Sequence, residues 1–120
     1  MKFRTKKFIT IRLFVADVSK SRDWYRSFFG IEPIEDQENF VSFKIANTCF
    51  DISLADEKSP VSRGGTVGYW LVDDLEGAIE HAVGLGAQVY RGPLPVNEVQ
   101  RTIVQILEPH GSVFGLEAEF

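Results

Sequence analysis

The chain has 120 residues, enough for one domain that buries its own core, and its 44% hydrophobic and 25% charged content is that of a globular protein. A net charge of −4 argues against nucleic acid or an anionic membrane as partner. The single cysteine, Cys49, excludes an internal disulfide, and no stretch reaches the ~20 apolar residues of a membrane span, so the expected setting is the cytoplasm.

The N-terminus imitates a secretion signal, with MKFRTKK followed by an apolar run. Arg12 interrupts that run, no small-residue cleavage pattern follows, and the segment alternates like a strand. The first predicted strand runs from Ile9 to Val15. Ile9, Ile11, Leu13 and Val15 point one way, toward a helix layer; Thr10, Arg12 and Phe14 point the other. Asp17 or Ser19 can cap the helix that follows, and Gly30 supplies its left-handed stop. Within that helix Tyr25, Phe28 and Phe29 form an apolar stripe beside Trp24, which reads as core packing.

Three strands follow, Ile31 to Glu35, Phe40 to Ile45 and Cys49 to Leu54, with turns at Asn39 and Asn47. In the last of them Phe50, Ile52 and Leu54 share one face, and Asp51 and Ser53 the other. Residues 55–65 are polar with Pro60, Gly64 and Gly65, a linker by composition.

The pattern then restarts. GTVGYWLVDD at 65–74 repeats FITIRLFVAD at 8–17, with Val15 and Val72 separated by 57 residues. Tyr69 and Leu71 alternate with Trp70, which belongs on the helix side. Asp74 caps a second helix that ends at Gly84 and Gly86, with His81 on its solvent face. Strands Gln88 to Arg91, Arg101 to Leu107 and Ser112 to Ala118 complete the half, with Pro93 and Pro95 breaking the first from the second. Glu108, Pro109, His110 and Gly111 form a turn by residue type. The final strand repeats Phe50, Ile52, Leu54 as Phe114, Leu116, Ala118 at an offset of 64, so the second half is longer, most simply in the loop around Leu94 to Val99. The fold class is therefore α+β: one domain over residues 1–120, built from two βαβββ repeats at about 8–54 and 65–118. Neither repeat buries enough alone, so their sheets should associate.

VADVSKSRDWYRSFFGIEP resembles the first helix of the glyoxalase / bleomycin-resistance / extradiol-dioxygenase (vicinal oxygen chelate) superfamily, with Trp24-Tyr25 and Phe29-Gly30 in the places of that family's aromatic-Tyr pair and Leu-Gly end. LEPHGSVFGLE resembles its terminal D-P-D-G turn and strand. The resemblance implies paired βαβββ modules that form a cleft-shaped mixed sheet with helices on the outer face, usually completed in a homodimer. In metal-using relatives four side chains on the concave faces hold a divalent metal, and the matching positions here are Thr10, Asp51, Val67 and Gly115. The internal repeat relates Thr10 to Val67 and Asp51 to Gly115 in the same way.

A catalytic metal needs three or more imidazole, carboxylate or thiolate ligands converging on one point, and these positions offer one carboxylate. No metal and no other cofactor is therefore expected, and Gly115 should leave room where a ligand would have projected. What remains on the concave faces suits a small amphipathic or aromatic ligand: Phe14, Tyr69 and Leu71 as apolar walls, Thr10, Ser53 and Glu117 as polar anchors, and Arg12 and Asp51 as facing charges. Arg12 either pairs with Asp51 or Glu117, or waits as a fork for a carboxylate or phosphate. The sequence reading is a metal-free binding protein that sequesters an antibiotic or metabolite; the alternative is a metal-dependent glyoxalase-type lyase/isomerase or dioxygenase-like enzyme.

Overall fold

The computed structural model describes residues 3–120; Met1 and Lys2, which open the signal-like stretch, lie outside the described residues. The first module consists of β1 (Thr10–Val15), α1 (Val18–Phe29), β2 (Glu35–Gln37), β3 (Phe40–Ile45) and β4 (Thr48–Leu54). The second repeats the order as β5 (Tyr69–Leu71), α2 (Leu75–Gly84), β6 (Gln88–Val96), β7 (Arg101–Leu107) and β8 (Val113–Glu119). The chain is thus α+β, two βαβββ modules, each with its own four-stranded sheet in the order β1-β4-β3-β2 or β5-β8-β7-β6. The first strand of each module lies parallel to the last, and the remaining neighbours are antiparallel. Parallel neighbours need a crossover, and the helix in each module supplies it.

Both helices begin where the sequence places them. Asp17 accepts from the Lys20 amide and from the Ser19 hydroxyl, and these donors hold its carboxyl below the usual range. Asp74 accepts from the Gly77 amide in the same way. Helix α1 ends on Gly30 at φ +68°, a left-handed position that costs glycine little.

Three boundaries differ from the sequence expectation. Residues Ile31 to Ile34 form a connection, and β2 starts only at Glu35, because Pro33 has no amide to give to a ladder. Pro93 and Pro95 do not end a strand. They lie inside β6, the outer edge of its sheet, where a missing N–H is tolerated, and the ladder absorbs them through register shifts between Val89 and Leu94. Gly92 sits in that bulge at φ +92°, where a Cβ would come within 2.8 Å of the Ile103 carbonyl oxygen. The extra length of the second half is consequently a longer β6–β7 hairpin, with Leu94 to Val96 in strand.

The core lies on the helix side of both sheets. Tyr25 is fully buried, packed edge-on against Phe50 at 4.8 Å and against Phe114 of the second module at 5.8 Å between ring centroids. Trp24 stacks on Phe28 at 5.2 Å, and Phe29 meets Trp70 at 5.4 Å. The aromatic stripe of α1 therefore joins the modules as well as covering its own sheet. Two hydrogen bonds reinforce that junction: the Trp24 indole donates to the Leu85 carbonyl at 2.8 Å, and the His81 Nε2 lies 2.9 Å from the Phe28 carbonyl. His81 is exposed, as its place on α2 suggests, yet it is not simply solvated: it stacks on Phe28 and ties α2 to the end of α1. The shortest dimension, 27 Å, is about that of one sheet layer, one helix layer and their side chains.

Candidate functional site

With Ile11, Leu13 and Val15 turned into the core, alternation sends Thr10, Arg12 and Phe14 to the other face of the first sheet. Register sets their neighbours. Arg12 lies beside Asp51 on β4, and Asp51 beside Ser42 on β3. These three form a hydrogen-bonded row: the Arg12 guanidinium donates to Asp51 Oδ2 at 3.0 Å, and the Ser42 hydroxyl donates to Asp51 Oδ1 at 2.6 Å. Asp51 and Ser42 are buried, whereas the Arg12 side chain is 50% exposed with its guanidinium carbon 5.7 Å from the centre of the Phe40 ring. Asp51 engages one guanidinium nitrogen, so part of the fork still faces outward. The next row along the strands is Phe14, Ser53 and Phe40.

The second module holds the same rows with different chemistry. Tyr69, Gly115 and Gln105 stand where Arg12, Asp51 and Ser42 stand in the first. The Tyr69 ring lies across Gly115, and its hydroxyl accepts a bond from Gln105 Nε2 at 3.0 Å. A Cβ at residue 115 would fall within the ring, with Tyr69 Cγ and Cε2 at 2.5 Å. The space at Gly115 is thus filled by Tyr69, not left free for a guest as the sequence reading expected. Leu71 and Glu117 form the next row with Ile103. Glu117 is bound by Arg101 at 2.6 Å, so it is Asp51 alone of the two predicted carboxylates that meets Arg12.

The structure therefore brings Arg12 together with Asp51, and Tyr69 with the Gly115 backbone, but in separate sheets. Ser42, Phe40, Gln105 and Arg101 complete the two faces and were not singled out from sequence. Their strands were legible, but their partners depend on register. Beside Tyr69 and Leu71, where β5 meets the first module, a recess of about 620 Å³ is lined also by Phe8, Ile11, Phe29 and Trp70. Its size is within the range of small-molecule pockets, and its lining is mainly apolar and aromatic. Leu71 is 61% exposed at its mouth.

The four positions that would hold a metal do not fit one. The Asp51 oxygens already accept from Arg12 and Ser42, Gly115 is covered by a tyrosine ring, Val67 has no donor, and a threonine hydroxyl is a weak ligand. Among the described residues no group of three or more His, Cys, Asp or Glu side chains is placed to share an ion.

The model of the Glyoxalase/Bleomycin resistance protein/Dioxygenase superfamily matches residues 7–116, and the chain belongs to that superfamily. Among solved structures it is similar to a protein of Agrobacterium tumefaciens determined by solution NMR, at TM-score 0.80 and 15% identity, covering 97% of this chain and 99% of that one. It is similar also to a glyoxalase/bleomycin resistance protein/dioxygenase family enzyme from Burkholderia phytofirmans PsJN, at TM-score 0.78 and 17% identity over 92% and 97% of the two chains. A glyoxalase-related enzyme from Fulvimarina pelagi follows at TM-score 0.73 and 16% identity, over 96% and 89%. At these identities the likeness is one of fold. No curated protein matches the chain. Among the described residues no helix is long and apolar enough to cross a membrane.

Proposed function

We propose that this protein binds a small amphipathic, aromatic molecule without a metal, and sequesters it rather than converting it. The observation that carries this reading is the pairing of an occupied, donor-poor metal position with an apolar recess of ligand size that shares Tyr69 with it. Tyr69 and Leu71 furnish the apolar contact, with Phe29 and Trp70 deeper in the recess. Thr10, Phe14, Ser53 and Glu117 belong to the polar faces that flank it. Arg12 supports a ligand with a single negative charge: its partner Asp51 neutralises the row, and the outward part of the fork can still donate to a carboxylate.

We infer that the working form is a homodimer. The polar sheet faces are open on one side, and a second copy laid against them would turn two faces into a cleft that excludes water. Antibiotic or metabolite capture in the cytoplasm is the physiological role this implies.

Calorimetry with a panel of aromatic monocarboxylates and aromatic antibiotics tests the reading, alongside sedimentation for the dimer. Binding without turnover, weakened about tenfold by Arg12→Ala through loss of a charge-assisted bond, is expected. Stoichiometric nickel, zinc, manganese or iron in the purified protein, or turnover that depends on such a metal, would overturn it.

A further inference from the structure

Two side chains of α1 and two at the β7–β8 turn hold buried oxygens with no hydrogen-bond partner within the protein: Ser21 Oγ, Tyr25 Oη, Glu108 Oε2 and Ser112 Oγ. All four residues are at most 1% exposed. Buried polar groups are nearly always partnered, so four such orphans, two on α1 and two at the β7–β8 turn, require a cause.

Their placement supplies it. Ser21 and Tyr25 are one helical turn apart on the inward face of α1, in the first module. Glu108 and Ser112 close the β7–β8 turn of the second module. Glu108 Oε1 accepts from the His110 amide at 3.0 Å and the Ser112 amide at 2.9 Å, which fixes the carboxyl and leaves Oε2 unpaired. Tyr25 packs on Phe114, two residues past Ser112, with ring centroids 5.8 Å apart, and this contact brings α1 against the second module beside the turn. Burial first, and then the Glu108 charge, push the Tyr25 phenol well above its usual range. Burial likewise raises the Glu108 carboxyl. Three hydroxyls, each able to donate or accept, and one carboxyl oxygen make a complete set of partners for a water molecule, which offers two donors and two acceptors.

We propose that Ser21, Tyr25, Glu108 and Ser112 form a cage for a tightly bound structural water that joins the two modules. The aromatic stripe of α1 is non-directional, and the Trp24–Leu85 and His81–Phe28 bonds orient the second module on the α2 side. A water bonded to both modules adds direction on the side of the β7–β8 turn.

A crystal structure at a resolution that shows ordered solvent should place one water within hydrogen-bond distance of at least three of the four oxygens. Water-oxygen magnetic relaxation dispersion on the intact protein should show a long-lived internal water, lost in Tyr25→Phe, which keeps the ring and removes only the hydroxyl. Ser21→Ala and Ser112→Ala, in different modules, should each lower Tm, and together lower it by less than the sum, because either loss already opens the cage. Direct side chain to side chain bonds in the crystal, a dry or ion-filled site, an unchanged relaxation signal in Tyr25→Phe, or additive Tm shifts would each overturn the proposal.

Discussion

Gly115→Ala is the sharpest test of how the second module is built. The new methyl group would fall inside the Tyr69 ring, and the conflict involves Cγ, close to the backbone, so the side chain must leave its rotamer rather than flex at its tip. Overpacking of this kind costs about 1–3 kcal/mol, and loss of the Gln105 to Tyr69 hydrogen bond about 1 kcal/mol more. Against this, Gly115 is not at a positive φ, so alanine should gain roughly 0.4–1 kcal/mol by restricting the unfolded chain. The expected net loss is about 1–3 kcal/mol, read as a shifted urea midpoint at constant slope. In a Tyr69→Ala background the obstacle is gone, and the same substitution should become neutral or stabilising by several tenths of a kcal/mol. The sign reversal is the signature. Equal losses from Gly115→Ala in both backgrounds would refute the reasoning, because the cost would then lie in the backbone and not in the ring.

Asp51→Ala should cost about 2 kcal/mol in denaturant titration, mostly because the buried Ser42 hydroxyl loses its partner, while the half-exposed Arg12 contributes little after solvent screening; Ser42→Ala should then cost far less in that background than alone. Trp24→Phe should lose about 1–2 kcal/mol with the indole bond to Leu85, and its effect should exceed that of any exposed aromatic substitution, which stability curves for both will show. Burial raises the Glu108 carboxyl above its ordinary value near 4.5, so the folded chain holds the proton more tightly than the unfolded one. Its contribution is full below that value and is lost as pH rises through the folded-state pKa. Glu108→Gln, neutral throughout and still able to accept the two turn amides, should therefore gain on wild type as pH rises from about 4 to about 8; a pH-independent difference between the two would contradict the assignment.

The sequence by itself determined the elements and their duplication. The cap residues Asp17 and Asp74, the stop at Gly30 and the alternation in Ile9 to Val15 and Cys49 to Leu54 are local signals, and each acts within a turn or a strand of its own position. The donor-poor character of positions 10, 51, 67 and 115 was equally legible, because it depends on residue type and on the repeat. Tertiary structure decided what those side chains touch. Arg12 chose Asp51 over Glu117 because parallel pairing of β1 with β4 sets them side by side, and Glu117 went to Arg101 across β7 and β8. Tyr69 lay down over Gly115 because β5 and β8 are neighbours, a fact that the 41 residues between them do not encode locally. The prolines of β6 were misread for the same reason: whether a strand can carry Pro93 and Pro95 depends on its place at a sheet edge, and that place is fixed only when all four strands are assembled. Local chemistry is set by the chain's own neighbours in sequence, but register and edge position are set by partners far along it.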